Sequence, residues 1–343
     1  MKKLFLAAAF FVACLASAAP QKVIFDTDIG NDVDDALALA MLYDYEASGR
    51  AQVLAVLLNN RHPASIAFTS VMNNYYGFGK FPVGVSADGI SSKDGRYAVI
   101  VSDMKNPDGS FAYPRSFDAQ NRPVDAVKLA RKVLSESEDG SVVYISVGFS
   151  TNVVNLLSSQ ADEYSKLDGI ALVAKKVKYF SVMAGQFATY PNVPALRNMM
   201  PEYNIRFDPP AARAFFGKSP VPIVFSGFEI GELVRFPKES ILEKLSAENP
   251  LAVAYKKYAV SRKTGELFDT RAFDLTSVLY VFSPELFEIS EAGNVVVDEK
   301  NISVFTPSKG GLHKYLILPK DGAKKISEEL AARVATLKPQ AEK

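Results

Sequence analysis

The segment Asp26-Thr27-Asp28-Ile29-Gly30-Asn31-Asp32-Val33-Asp34-Asp35 packs five carboxylates into ten residues. At that density carboxylates repel one another and cost stability unless a cation holds them. Asp32 and Asp34 can be explained as caps of a following helix, whose positive N-terminal dipole favours negative charge. Capping does not account for all five directly after the apolar run Val23-Ile24-Phe25, and the cluster points to a metal site. The chain has one cysteine, Cys14, and two histidines, His62 and His313. An all-oxygen donor set therefore predicts a hard ion, Ca²⁺ or Mg²⁺, rather than zinc.

Elements that position such a cluster are legible in the hydrophobic pattern. Val23–Phe25 reads as a buried strand, and Asp34–Ala47 as a helix with Leu37, Ala40, Met41 and Tyr45 at helical spacing. Strands at Val53–Leu58 and Val83–Val85 follow, with a helix opening at Pro63 between them. The alternation continues through Val124–Leu134 (helix), Val142–Val147 (strand), Thr151–Leu157 (helix), Tyr179–Met183 (strand), Pro209–Phe216 (helix) and Val221–Phe225 (strand). This predicts an α/β fold, a mainly parallel central sheet with helices on both faces, whose ligands sit at the carboxyl ends of the strands. Gly89–Pro123, rich in Gly, Ser, Asp and Asn, reads as a long loop. Beyond Pro237 the pattern gives a core helix at Leu275–Val281, strands near Val295–Val297 and Tyr315–Leu318, and a closing helix at Ala323–Leu337. No linker rich in Pro, Gly or Ser divides the chain, so one domain over residues 22–338 is expected.

The acidic run resembles the N-terminal signature of the inosine-uridine-preferring nucleoside hydrolases, in a longer-spaced form. Three later segments agree in order: Val147-Gly148-Phe149-Ser150-Thr151-Asn152, Pro201-Glu202-Tyr203-Asn204-Ile205-Arg206-Phe207-Asp208-Pro209 and Ala272-Phe273-Asp274. The resemblance implies an open, Rossmann-like fold and Ca²⁺-dependent hydrolysis of the N-glycosidic bond of nucleosides. It implies that Asp28, Asp35, the Val147 carbonyl and Asp274 hold Ca²⁺, with Asp28 also the base for the attacking water. Asp34, Glu202 and Asn204 would hold ribose hydroxyls, and the charge of Glu202 would stabilise an oxocarbenium-like transition state. On its own residues, Glu202-Tyr203-Asn204 reads equally well as a surface turn before the helix at Pro209. The family also places an asparagine after the strand ending at Met183; Asn192 fits that distance better than Asn198. Asn59 or Asn60 reaches a ribose hydroxyl or simply ends its strand.

The chain departs from the family pattern at Phe273, where inosine-uridine-preferring members carry a histidine that protonates the leaving base. Phenylalanine has no proton to give, so stacking on Phe273 or Tyr190, or an acid such as Glu229, must serve instead. Two other functions compete. One is a ribosyl-ligand binding protein that has lost turnover. The other is a Mg²⁺-dependent phosphohydrolase of the haloacid-dehalogenase type, whose Asp-x-Asp strand end Val23–Asp28 superficially matches.

Lys2 and Lys3, the apolar run Leu4–Val12 and Ala16-Ser17-Ala18 form the three regions of a signal peptide cleaved near Ala18. A secreted or periplasmic protein is expected, with lipidation at Cys14 the less favoured outcome. Salvage of nucleosides outside the cell would follow. Removal of that segment would leave no thiol. Lys+Arg (39) nearly equals Asp+Glu (38), which leaves no basic excess for a nucleic-acid partner. No run beyond the first twenty residues approaches a membrane span. A small nucleoside or ribosyl substrate is the expected partner, with homo-oligomerisation implied by the family alone.

Overall fold

The computed structural model describes residues 19–91, 95–118 and 120–336. The expected signal peptide and Leu337, the last residue of the expected closing helix, lie outside these.

The first half alternates strand and helix: β1 (Gln21–Thr27), α1 (Asp34–Ala47), β2 (Ala51–Leu58), α2 (Pro63–Tyr75), β3 (Val83–Val85), α3 (Arg96–Ser102), β4 (Val124–Asp125), α4 (Ala126–Ser135), β5 (Val142–Ser146), α5 (Thr151–Ser158), α6 (Gly169–Lys176) and β6 (Val177–Met183). The second half adds α7 (Tyr203–Phe207), α8 (Pro209–Lys218), β7 (Ile223–Ser226), α9 (Phe228–Leu233), β8 (Arg235–Phe236), α10 (Glu239–Leu242), α11 (Pro250–Tyr258), β9 (Thr270–Arg271) and α12 (Phe273–Phe282). It closes with β10 (Glu288–Ile289), β11 (Gly293–Val297), β12 (Ser303–Pro307), β13 (His313–Ile317) and α13 (Gly322–Ala335).

The main sheet runs β12-β11-β13-β7-β6-β5-β1-β2-β3-β4. From β13 to β4 every neighbouring pair is parallel, while β10, β11 and β12 add an antiparallel edge. The expected α/β architecture is therefore present, with a mixed edge.

Alternate residues of β1 face opposite layers, as the period of a strand requires. Val23 and Phe25 pack with α1, α2, α11, α12 and α13, while Ile24 packs with α4, α5, α6 and α8. The chain runs from β1 outward through β2 and β3, then returns to build β5, β6 and β7 on the other side of β1. This reversal creates a crevice between the carboxyl ends of β1 and β5, where open sheets bind ligands.

Two local predictions fail for physical reasons. Gly89–Pro123 is not all loop, because α3 forms within it, capped by the left-handed Gly95 (φ 56°) and opening at the left-handed Arg96 (φ 39°). Val124 does not begin a helix: it pairs with Gly84 at the sheet edge, and Asp125 caps α4 by accepting from the Lys128 N–H at 3.0 Å.

Arg131 of α4 is buried and fastens the loop before α6. Its guanidinium donates to both carboxylate oxygens of Asp162 (2.7 and 3.0 Å), to Ser159 Oγ and to the carbonyls of Ser165 and Leu167. Arg131→Ala strands these acceptors and is expected to cost about 3 kcal/mol, read from the urea midpoint.

Candidate active site and metal centre

β1 delivers Asp26 and Asp28 to the sheet's carboxyl edge, and a turn carries the chain into α1 with Asp34 and Asp35 in its first turn. Gly30 has φ 108°, and a Cβ there would strike Ser65 Oγ, so this turn requires glycine. Gly148, in the turn after β5, is required for a different reason: a Cβ would collide with the Asp28 N–H and the Asn59 amide.

Asp274 arrives from the first turn of α12, and its N–H donates to Asp34 Oδ2 at 3.1 Å across 240 residues of chain. Carboxylate oxygens of Asp32, Asp34, Asp35 and Asp274 lie within 4.8 Å of one another. Asp28 is buried beside them, with Oδ2 unpartnered. Burial first, then repulsion from neighbouring carboxylates, holds Asp28, Asp34 and Asp274 well above the usual carboxylate range; Asp35 is raised by burial and by Asp32. The nearby guanidinium of Arg271 is committed to Glu232. A buried, unpartnered oxygen of Asp28 beside four further clustered carboxylates is what a bound divalent ion would satisfy, so the residues fit the metal that the acidic run predicts.

The cluster opens into a cavity of about 260 Å³ lined by Asp28, Asn31, Asp32, Asp35, Arg96, Val147, Met183, Glu202, Tyr203, Asn204, Phe228, Tyr258, Phe273 and Asp274. Of the expected site residues, Asp28, Asp35, Val147, Glu202, Asn204, Phe273 and Asp274 line this space. Asp34 lines a smaller adjoining pocket with Asp32. Glu202 caps α7, accepting from the N–H groups of Asn204 (2.9 Å), Ile205 (3.3 Å) and Gly185 (3.3 Å), and burial pushes its carboxyl up to about 7. The Asn204 side chain donates to the carbonyls of Val147 and Met183, both at 3.1 Å, and so ties the ends of β5 and β6 together. Phe273 stacks on Phe228 with centroids 5.3 Å apart and planes 13° apart, against Gly231, where any side chain would displace the ring.

Several candidates are not brought together. Asn192 is exposed and absent from the cavity wall, because backbone bonds from Tyr190 to the Leu196 carbonyl and from Val193 to the Tyr190 carbonyl fold its loop into a closed turn. Asn192→Ala is accordingly expected to leave KM for any substrate within about twofold. Asn198 is also exposed, its carbonyl receiving Gln186 Nε2 at 3.2 Å. Asn59 donates to Asp26 Oδ1 and Asn60 to the Asp28 carbonyl, so both brace the strand ends. Asp26 is itself structural. Asn59 and Asn152 (both 2.9 Å) and the Tyr144 hydroxyl (3.0 Å) satisfy its two oxygens, and burial raises it to about 7. Glu229, raised to about 7 by burial, accepts from the Phe187 N–H and does not reach the cavity wall. His62 caps α2, its Nδ1 accepting from the Ala64 N–H, and no histidine of the described residues lines the cavity.

Residues 23–308 match the family described as inosine-uridine preferring nucleoside hydrolase. The chain belongs to that family. This removes the haloacid-dehalogenase alternative. The pyrimidine-specific ribonucleoside hydrolase RihA of Escherichia coli O1:K1 is 28% identical over 191 residues, 54% of this chain and 55% of that protein, so the alignment spans about half the length of this relative. Among solved structures, the plant nucleoside hydrolase PpNRh1 superposes with TM-score 0.65 at 21% identity, covering 92% of this chain and 99% of that one. A purine-preferring ribonucleoside hydrolase from Gardnerella vaginalis gives TM-score 0.67 at 17% identity, over 92% and 98%. At these identities the structural likeness establishes the fold of the family.

The cavity also contains residues that sequence reasoning left without a role. Tyr203 and Phe228 sit inside segments the sequence singles out. Arg96 and Tyr258 carry no local signal, since α3 and α11 reach the cavity only through tertiary packing.

Proposed function

We propose that this protein is a Ca²⁺-dependent nucleoside N-ribohydrolase, cleaving a nucleoside to ribose and free base. The observation that carries this reading is the unpartnered Asp28 oxygen beside the carboxylate cluster, in a cavity at the β1/β5 crevice of a nucleoside hydrolase family member.

Asp28, Asp35, the Val147 carbonyl and Asp274 would hold the ion, with oxygen donors suited to Ca²⁺. When bound, such an ion supplies positive charge that lowers the pKa of water toward neutrality. Asp28 accepts the proton of the attacking water. The water oxygen joins the anomeric carbon as the glycosidic bond breaks, and the glycosidic nitrogen departs with the bonding pair and takes a proton from solvent, while Asp28 returns its own to solvent. Asp34, Glu202 and Asn204 orient the ribose through its hydroxyls, and the carboxylate of Glu202 favours the positive charge that develops on the sugar. Phe273, backed by Phe228, offers the base an aromatic face. The relatives are by name pyrimidine-specific in one case and purine-preferring in another. With Phe273 in place of the family histidine, base preference here is left to stacking and cavity shape. The charged start, apolar run and small residues of positions 2–18 support action outside the cytoplasm.

Free-ribose release from a panel of purine and pyrimidine nucleosides, with and without EDTA, tests the proposal. Release that EDTA abolishes supports it and ranks the bases. Tight Ca²⁺ binding with no release from any nucleoside would replace it with a ribosyl-ligand binding role, the reading that Phe273 favours.

A further inference from the structure

Asp32 is the one carboxylate of the acidic run to which the family resemblance gives no role and whose side chain meets only the neighbouring carboxylates of the cluster, Asp34 first among them. We infer that Asp32 is an additional ligand of the cation, carried on a pre-organised arm formed by residues 30–33 and clamped from outside by α3. The inference rests on the reading of this site as a cation centre.

Three observations converge. A carboxylate oxygen of Asp32 lies within 4.8 Å of those of Asp34, Asp35 and Asp274. Asp32 lines the same cavity as Asp28, which is 4% exposed and whose Oδ2 has no partner. The backbone that carries Asp32 is also fixed with unusual thoroughness for a turn between strand and helix. The hydroxyl of Tyr97, buried at 2% exposure, donates to the Asp32 carbonyl at 2.7 Å and accepts from the Gly30 N–H at 3.1 Å. Next to it, Arg96 Nη1 donates to the Asn31 carbonyl at 2.7 Å. Tyr97 is in turn held edge-on by Phe68 (5.2 Å) and Tyr258 (6.3 Å).

A turn needs no such clamp merely to cap a helix; Val33, at the N-cap of α1, makes no side-chain cap at all. A carboxylate that must meet a cation without losing much conformational entropy does benefit from one. Ligand charge and site rigidity set the affinity of oxygen sites for Ca²⁺, and Asp32 contributes to both.

The test is calorimetric Ca²⁺ titration of the wild type, Asp32→Asn and Tyr97→Phe, paired with the thermal midpoint of each protein after EDTA treatment. Asp32→Asn is expected to weaken Ca²⁺ by about tenfold or more while leaving the EDTA-treated midpoint equal or higher, because one repelling charge has gone. Tyr97→Phe keeps every carboxylate, and is expected to weaken Ca²⁺ by about tenfold through loss of the clamp. Asp32→Asn binding within twofold of wild type would overturn the inference. So would weaker binding accompanied by a lower EDTA-treated midpoint, which would make Asp32 a structural residue of the turn. Failure of the wild type to take up Ca²⁺ would instead sink the cation-centre reading beneath it.

Discussion

Asp28→Asn is expected to reduce ribose release by about a thousandfold or more, because one substitution removes both the proton acceptor for water and a charge that holds the ion. The side chain keeps its shape, so packing around it should survive. Asp28 is buried at the carboxyl end of β1, against Gly148, and an amide occupies the same volume. The loss should fall on kcat at saturating Ca²⁺, with KM changed far less, since the proposed ribose contacts of Asp34, Glu202 and Asn204 are left in place. Comparable kcat for Asp28→Asn and wild type, with Ca²⁺ saturating in both, would remove Asp28 from the chemistry. The same variant gives a second readout. In EDTA above neutral pH it should melt no lower than the wild type, because the amide needs no proton to stay neutral beside the other carboxylates.

The second large effect is on stability and its dependence on pH. In ion-free protein Asp28, Asp34, Asp35 and Asp274 are held above the ordinary carboxylate range, by burial before all else. The folded state then retains protons that the unfolded chain has released. The stabilisation from that difference is fully present below the unfolded pKa, 3.8 for these aspartates, and is lost as pH rises through the folded values. EDTA-treated protein should therefore lose stability from these groups as pH rises toward 8. Ca²⁺ requires them deprotonated, so the gain from adding it should grow over the same range. At a hundredfold its Kd the ion contributes about 2.7 kcal/mol, or about 5 °C in Tm for a chain of this size. Scanning calorimetry with EDTA and with Ca²⁺, from pH 5 to pH 8, measures the difference. A gap between the two that is constant with pH would contradict the coupling.

His313 acts with the opposite sign. Burial lowers it to about 4, where its Nδ1 accepts from the Val295 N–H at 2.7 Å. Its contribution is present above the unfolded pKa of 6.5 and lost as pH falls through about 4. It lies far from the carboxylates, in β13, and is common to both forms, so it cancels when the Ca²⁺-induced difference is read.

Much of the architecture is written locally in the sequence. Short β-branched runs alternating with helical periodicity specify strands buried on both faces, and these can only form a parallel sheet covered by helices. The agreement is closest where the pattern is strongest, at α1 (Asp34–Ala47) and β3 (Val83–Val85). It fails where a short element owes its existence to neighbours. α3 starts from two left-handed residues inside a polar stretch, and β12 (Ser303–Pro307), an edge strand with exposed Val304, turns only Phe305 of its large apolar residues toward the core.

At the site, the chemistry was legible from residue types alone: carboxylates at a strand end, a single cysteine remote from them in sequence, and Phe273 rather than a histidine immediately before Asp274. The order of four motifs determined the family. How the carboxylates divide depends on the packed fold. Asp26 turned inward to Asn59, Asn152 and Tyr144, while Asp28, Asp32, Asp35 and Asp274 line one cavity and Asp34 the pocket adjoining it. It also decided that Asn192 faces solvent and that Tyr97, Arg96 and Tyr258 reach the site. The reason is physical: residue type and spacing fix which bonds a group can make, but burial and partners depend on elements distant in sequence. A carboxylate four residues from another may be its neighbour or its opposite, and the fold alone sets which.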